Sequence, residues 1–276
     1  MLIAQITDCH VVERGTLLSG SVDTAAGLRT AVEHVLTMTP RPDAVIATGD
    51  LVNDARPEEY DHLVELLAPL RDAGLPLHLV PGNHDDRAEM RARFPDLPAT
   101  DVAADRLDRV IDDHLGAHGI RLIALDTTVP GQQGGRVTDD QMAWLDGVLA
   151  SGADVPTLVF QHHPPFVTGI GWMDENTFEG ADLQAETLAR HDHVVGVVCG
   201  HLHRPIVATF GRTAVSCWPS TGAQLALALA GERYLYSDEP GAIALHRWDP
   251  RTGLTSHLHQ FTGGEPWLPD WAAAMS

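Results

Sequence analysis

Aspartate, asparagine and histidine gather in five short blocks, each directly after an apolar run: Asp8-Cys9-His10, Gly49-Asp50, Gly82-Asn83-His84-Asp85, His162-His163 and Gly200-His201-Leu202-His203. Carboxylate, carboxamide and imidazole donors delivered together suit divalent ions of hard to borderline character. Asp8 and His10 stand two residues apart, as do His201 and His203; in an extended segment that spacing puts both side chains on one side of the chain, where they can grip one ion. Asp50 is a lone carboxylate whose two oxygens can bridge two cations. Bridging would hold the pair roughly 3.5–4 Å apart, the separation of two-metal hydrolytic sites. Asn83 adds a carbonyl oxygen and His162 an imidazole nitrogen, so the candidate ligands are Asp8, His10, Asp50, Asn83, His162, His201 and His203. Two incomplete coordination spheres with positions left open for water are the mark of catalysis rather than structure.

Short apolar runs and amphipathic ones alternate over the first two hundred residues, with strands expected at 2–7, 44–48 and 77–80 and helices at 23–38 and 57–72. That rhythm predicts βαβ units on a mostly parallel core, with functional loops at the carboxyl ends of the strands. The runs 107–112 and 120–125 have no helix between them and read as an antiparallel hairpin. Thr138-Asp-Asp-Gln141 has capping-box spacing and opens a helix bearing Met142, Leu145 and Leu149. A strand at 157–161, a helix near 181–190 and a strand at 194–199 follow, then short β runs at 205–210, 213–217, 242–248 and 254–260. The Ala/Leu run 223–230 is ambiguous between strand and helix. Loops 11–22 and 164–180 are longer than compact connections need and begin beside His10 and His162, so both are expected to wall the pocket.

The 276 residues suffice for one domain, with a metal-site core at 1–210 and a β-rich extension at 211–276. Eighteen Lys and Arg against 38 Asp and Glu give a formal charge of −20, which disfavours nucleic-acid polymers and anionic membranes. Cys9, Cys199 and Cys217 are few, odd in number and scattered, unlike a disulfide framework. With no export signal and no membrane span in the sequence, a cytoplasmic protein is expected.

In this order and spacing the five blocks resemble the calcineurin-like metallophosphoesterases, whose pattern is D-x-H, G-D, G-N-H-[DE], H and G-H-x-H. The resemblance implies an α/β fold, a four-layer α/β/β/α sandwich of two mixed sheets flanked by helices. It also implies one metal held by Asp8, His10, Asp50 and His203 and a second by Asp50, Asn83, His162 and His201. Gly49-Asp-Leu-Val-Asn53 and His162-His163-Pro-Pro165 are similar to the cyclic-nucleotide and glycerophosphodiester phosphodiesterase branch; Arg56-Pro-Glu-Glu-Tyr60 and the tail Glu265-Pro-Trp-Leu-Pro-Asp270 look like the glycerophosphodiesterase members. Ser/Thr protein phosphatases place Asp and Arg where this chain has Asn53 and Asp54. The phosphate-clamping arginine is missing, and an Asp54 carboxylate there would disfavour a dianionic monoester. Relatives in this branch form dimers or larger assemblies, so a homodimer or higher oligomer is expected.

These readings combine into a dinuclear metal-dependent phosphodiesterase acting on small soluble diesters, 3′,5′-cyclic nucleotides or glycerophosphodiesters. Two divalent ions (Mn, Fe, Co or Zn), the Asp8 and Asp50 carboxylates and a bridging hydroxide nucleophile leave about one net positive charge for a monoanionic diester. His84 has no ligand duty and is the candidate for holding the phosphoryl oxygen or protonating the leaving alkoxide; with Asp50 it forms the expected catalytic pair. The rivals are a phosphomonoesterase or protein phosphatase of the same fold, which should show an Arg- or Lys-rich pocket, and a non-catalytic scaffold, which should have lost ligands. Asn83 could instead serve its own turn. His163 reads as a packing or supporting residue, His191-Asp-His193 as a solvated turn, and Cys9 and Cys199 as small buried residues. Trp172, Met173 and Phe178 divide between pocket lid and core, and Trp267 and Trp271 between a neighbouring subunit and their own domain.

Overall fold

The computed structural model describes residues 1–95, 97, 105–114, 116, 119–176, 178–229 and 234–261. The tail motif at 265–270, Trp267, Trp271 and the end of the Ala/Leu run at residue 230 lie outside them. In chain order the elements are β1 (Leu2–Ile6), α1 (Thr24–Thr37), β2 (Ala44–Thr48), α2 (Pro57–Asp72), β3 (Leu77–Val80), α3 (Arg87–Arg93), β4 (Arg109–Ile111), β5 (Arg121–Leu125), α4 (Asp139–Ser151) and β6 (Thr157–Gln161). Then come α5 (Gly171–Asp174), α6 (Ala181–Ala189), β7 (Val194–Cys199), β8 (Ile206–Phe210), β9 (Thr213–Cys217), β10 (Gln224–Leu225), β11 (Tyr236–Ser237), β12 (Ala242–Asp249) and β13 (Gly253–Gln260). The ambiguous run 223–230 thus opens with a short strand.

Two mixed sheets carry the fold, one in the order β13-β12-β1-β2-β3 and the other β4-β5-β6-β7-β9-β8. Strands β1, β2 and β3 are parallel to one another, as are β5, β6, β7 and β9. Strand alternation explains why the central strands read as unbroken apolar runs. Ile3, Ile46, Leu122, Ala124, Leu158, Phe160 and Val198 face inward and pack sheet on sheet. Their neighbours Ala4, Val45 and Ala47 turn outward onto α1 and α2, through Leu28, Val32, Leu63 and Leu67. Ile123, Leu125, Val159 and Val197 turn outward onto α4, through Met142, Leu145 and Leu149. The result is the expected four-layer sandwich.

Residues 211–276, expected as an extension, supply more than an appendage: β12 pairs antiparallel with β1 from Leu2↔Arg247 to Gln5↔Ala244, so β1 becomes the middle strand of its sheet. The capping box at Thr138 forms, Gln141 N–H donating to Thr138 Oγ1 at 3.3 Å and Thr138 N–H to Gln141 Oε1 at 3.1 Å. Arg56-Pro-Glu-Glu-Tyr60 starts α2: Pro57 takes the first helical position, and the Glu59 carboxylate accepts from the N–H groups of Asp54 at 2.8 Å and Arg56 at 3.2 Å.

A buried polar knot ties the two sheets together near their carboxyl ends. Arg87, the first residue of α3, grips Asp126 after β5 with two hydrogen bonds of 2.7 and 3.1 Å. Asp108 accepts from the Asp126 N–H at 2.8 Å and from Gln141 Nε2 at 2.9 Å, and Arg106 pairs with it at 3.1 Å. Burial and the neighbouring Asp126 push the Asp108 carboxyl up to about 6.

Phe160 is wholly buried in the layer between the sheets. Phe160→Ala should destabilise the protein by about 3–5 kcal/mol, the usual cost of deleting a buried aromatic ring, as read from the midpoint of urea denaturation; an unchanged midpoint would show that the inter-sheet layer is not a tightly packed core.

Candidate metal centre

Each of the five blocks follows a strand end: Asp8 and His10 follow β1, Asp50 follows β2, Asn83 and His84 follow β3, His162 follows β6, and His201 and His203 follow β7. β1 and β7 belong to different sheets, so the blocks meet only because the sheets are stacked. The expectation that Asp8 and His10, and His201 and His203, share a side through extended alternation does not hold. Asp8, His10, His201 and His203 all take the left-handed backbone conformation, with φ of 50°, 42°, 71° and 49°, as does Asp50 at 49°. The chain curls at each strand end instead of continuing it. Those curls are held across strands, by Asp8 N–H donating to Gly49 O at 3.0 Å and His10 N–H to Asp50 O at 2.9 Å.

All seven predicted ligands and His84 come together. Asp50 Oδ2 stands 3.6 Å from His10 Nε2 and 3.3 Å from His162 Nε2. On one side His203 Nε2 lies 3.3 Å from Asp8 Oδ1 and 3.2 Å from His10 Nε2. On the other, His162 Nε2 lies 3.1 Å from Asn83 Oδ1 and 3.3 Å from His201 Nδ1. Among the described residues the groups whose ligand atoms fall within 4.8 Å of one another are Asp8/His10/His203, His10/Asp50/His84, Asp8/Asp50/His162 and His162/His163/His201. Two clusters sharing Asp50 have the donor chemistry for two borderline divalent ions.

The remaining ring nitrogens explain which nitrogen faces inward. His162 Nδ1 donates to Thr48 O at 2.7 Å, His84 Nδ1 to Asn53 O at 2.6 Å, and His203 Nδ1 to Ala223 O, so each ring turns Nε2 to the centre. Thr7 Oγ1 donates to Asp8 Oδ2 at 2.7 Å, and the His201 N–H donates to both Asp8 oxygens at 3.0 Å. The His84 N–H donates to Asp50 Oδ1 at 2.9 Å. The glycines are required by space. A Cβ on Gly200 would stand 2.0 Å from Thr7 Oγ1, and one on Gly49, itself at φ 85°, would stand 2.6 Å from His162 Nδ1.

Burial works against every charge here, and the pairing decides the outcome. It pushes the Asp50 carboxyl up, yet His162 and His10 hold it well below the usual range; burial also raises Asp8, and His203 brings it down. Burial lowers His162, but Asp50 raises it to about 9. Burial takes His10 down to about 4 and, with His162 adding, His201 down to about 3. Without metal, a protonated His162 supplies the positive charge that Asp50 needs.

Sequence reading missed several supports. Asp85 is half-buried and accepts from the N–H groups of Leu51, Val52 and Gly82 and from Tyr60 Oη, clamping the Asp50 and Asn83 loops together; removal from water and the neighbouring Asp50 push it up to about 7. Gln133 accepts the Asn83 Nδ2 donation at 3.0 Å and so turns Asn83 Oδ1 to the centre. Ser220 Oγ donates to Asp8 O at 2.7 Å. His163 joins His162 and His201 in one group, and its nitrogens are engaged with Thr127 Oγ1 at 2.8 Å and Gln133 O at 3.2 Å. His191 binds Asp146 at 2.7 Å before β7, away from the centre. Cys9 and Cys199 are buried with free thiols.

Two cavities flank the cluster. One of about 170 Å³ beside His201 and His163 is walled by Phe166, Met173 and Phe178 of loop 164–180. Met173 also packs into the core under α4, and Trp172 meets Tyr234 edge to face, with ring centroids 4.5 Å apart. The other, about 570 Å³, adjoins Asn83 and His84 and includes Asp54, Arg87 and Arg91. Loop 11–22 borders a separate hollow with Asn53 and Asp54. Asp54 is not the free anion expected. It pairs with Arg56 at 3.2 Å and accepts from Asn53 Nδ2 at 2.9 Å, so it discriminates against a second phosphate charge only weakly. Arg87 adjoins the pocket but is spent on Asp126.

A stacked pair of mixed sheets that delivers aspartates, histidines and an asparagine to one shared edge defines a phosphoester hydrolase, and the chain belongs to the calcineurin-like phosphoesterase family, whose pattern matches residues 1–205. It is 31% identical over 96% of both chains to a probable glycerophosphodiester phosphodiesterase GpdQ of Arcobacter nitrofigilis. It is 32% identical to the glycerophosphodiester phosphodiesterase GpdQ of Enterobacter lignolyticus, over 98% of this chain and 95% of that one. A 3′,5′-cyclic adenosine monophosphate phosphodiesterase CpdA of Vibrio vulnificus is 32% identical over 80% of this chain and 77% of its own. The fold alone is shared with a purple acid phosphatase of yellow lupin, with TM-score 0.69 and 14% identity over 97% of this chain and 52% of that one.

Asp85→Ala should lower stability by roughly 1–3 kcal/mol for each buried N–H left unpaired, read as a fall in melting temperature; a variant melting with the wild type would remove Asp85 as the clamp between the two loops.

Proposed function

We propose that the chain is a dinuclear metal-dependent phosphodiesterase of small soluble diesters, glycerophosphodiesters foremost and 3′,5′-cyclic nucleotides second. The observation that carries the reading is Asp50 standing within 3.6 Å of His10 and 3.3 Å of His162, one carboxylate between two clusters. In this reading Asp8, His10, Asp50 and His203 hold one divalent ion, and Asp50, Asn83, His162 and His201 the other; Mn, Fe, Co or Zn would suit these donors. The bound pair supplies Lewis acidity and an activated water at neutral pH. The residues themselves position and protonate. Asn53 fixes the His84 ring through Nδ1, which leaves Nε2 to meet a phosphoryl oxygen or to protonate the leaving alkoxide. The polar cavity beside Asn83 and His84 receives one arm of the diester, and the apolar cavity beside His201 takes the other.

Near-complete coverage of the glycerophosphodiesterase relatives supports the order of substrates. The retention of every predicted ligand supports catalysis over a scaffold role. Three free buried cysteines support a reducing cytoplasm, and no helix among the described residues is long and apolar enough to cross a membrane. A dimer or larger assembly belongs to the same reading, supported by the exposed Leu227, Leu229 and Leu235 beside β10 and β11. Residues 1–276 act as one unit in it.

Metal-reconstituted protein should hydrolyse bis(p-nitrophenyl) phosphate faster than p-nitrophenyl phosphate, and Asp50→Ala should abolish both activities; monoester preference would move the chain to the phosphatase branch. His84→Ala should keep its metal and lose about 10²–10⁴-fold in kcat, the range for a lost general acid, whereas equal turnover removes His84 from the chemistry. A coordinating imidazole must be neutral, and His162 stands near 9 without metal. Metal uptake at pH 7.5 should therefore release a proton, and affinity should rise with pH until about 9 and then level. Calorimetry in buffers of different ionisation enthalpy reads this directly, and an affinity equal at pH 7 and pH 9 contradicts it.

A further inference from the structure

Strand β3 ends one sheet and β4 ends the other, and the cleft between these two edges holds a cavity of about 510 Å³ that shares no lining residue with the two cavities beside the metal centre. Arg109 of β4 lines it and is only 5% exposed. Among the described residues its Nη1, sealed from solvent, has no acceptor, and no carboxylate pairs with the guanidinium. Burial alone pushes it down to about 10. The half-buried Arg87 and Arg106 and the buried Arg121 are treated differently: Arg87 grips Asp126, Arg106 grips Asp108 and Arg121 grips Asp112. Buried charges in folded proteins are paired, because an unpaired one forfeits its hydration without return.

The surroundings say what would pair with it. His78 faces the same cavity, and burial, with Arg109 adding, takes it down to about 3, so it is neutral; its Nε2 meets His114 Nε2 at 2.8 Å. Asp112 is occupied by Arg121, and Asp113 and Arg71 are both solvent-exposed, one negative and one positive, so that their charges cancel in the sum and Arg109 is left as the one buried charge. The walls are Leu75, Leu77, Leu79, Phe94, Val110 and Ile111. One uncompensated cation at an apolar wall suits a ligand with a single negative charge and an apolar body. A dianionic phosphate would bring two charges to one guanidinium and strip its own hydration against leucine.

We propose that this cleft is a binding site for a small monoanion with an apolar body, of the medium-chain carboxylate class, its carboxylate paired with Arg109. The inference stands apart from the phosphodiesterase reading and needs no metal.

Titration calorimetry of the full chain with octanoate, and separately with inorganic phosphate, tests it. Octanoate should bind one to one and raise the melting temperature; Arg109→Leu should bind at least tenfold more weakly. 1-Octanol, which has the same apolar body without the charge, should bind the wild type at least tenfold more weakly than octanoate, a test that stands should Arg109→Leu fold poorly. Diester hydrolysis should be unchanged in Arg109→Leu. The proposal is overturned if the wild type does not bind octanoate, if it binds only phosphate, or if it binds 1-octanol as well as octanoate.

Discussion

An ionised Asp50, 2% exposed at the seam of two sheets, is the constraint around which this protein is arranged. A carboxylate taken out of water must be surrounded by positive charge and donors or it takes up a proton. The chain meets that demand with the His84 N–H and with His10 and His162, whose own second nitrogens are fixed by Asn53 and Thr48. His162, which stabilises Asp50 as a proton carrier, is available as a ligand once it loses that proton, and His10 is already neutral. Stability of the metal-free chain and metal capture therefore draw on one set of contacts.

Delivering those groups to one place strains the backbone. Asp8, His10, Asp50, His201 and His203 sit in the left-handed region, where a side chain with a Cβ costs about 1–3 kcal/mol at each position. The strain is sustained because the curled ends bond across strands rather than along them: Asp8 to Gly49, His10 to Asp50, Leu51 and Val52 to Asp85. Tyr60 links the same clamp to α2, and Arg87 with Asp126 links it to the opposite sheet. Rigid strands thus end in short turns that are fixed from several sides, which is the condition for holding ligand atoms in place without metal.

The five blocks, the parallel core strands and most helices were legible because each carries a local signal: donor types after apolar runs, period-two or period-3.6 patterning, and the capping box at Thr138. What was not legible depends on chain reversal or distant pairing. Residues two apart suggested extended alternation for Asp8 and His10, whereas the chain curls there, since nothing local announces a left-handed aspartate. The place of β12 beside β1, about 240 positions apart in sequence, is fixed by the Leu2↔Arg247 register and leaves no mark in either strand's own pattern. Asp54 read as a lone anion because its partner Arg56 lies across a turn whose shape the sequence does not state. Gln133 and Asp126, polar residues in unremarkable stretches, acquire their roles only through the meeting of the two sheets.

Asp50 stands between the two donor clusters and joins them into one centre. Electron paramagnetic resonance of the protein loaded with Mn²⁺ measures that directly. An exchange-coupled pair signal that gives way to an isolated-ion spectrum in Asp50→Asn is the predicted result; an isolated-ion spectrum from the fully loaded wild type would contradict it.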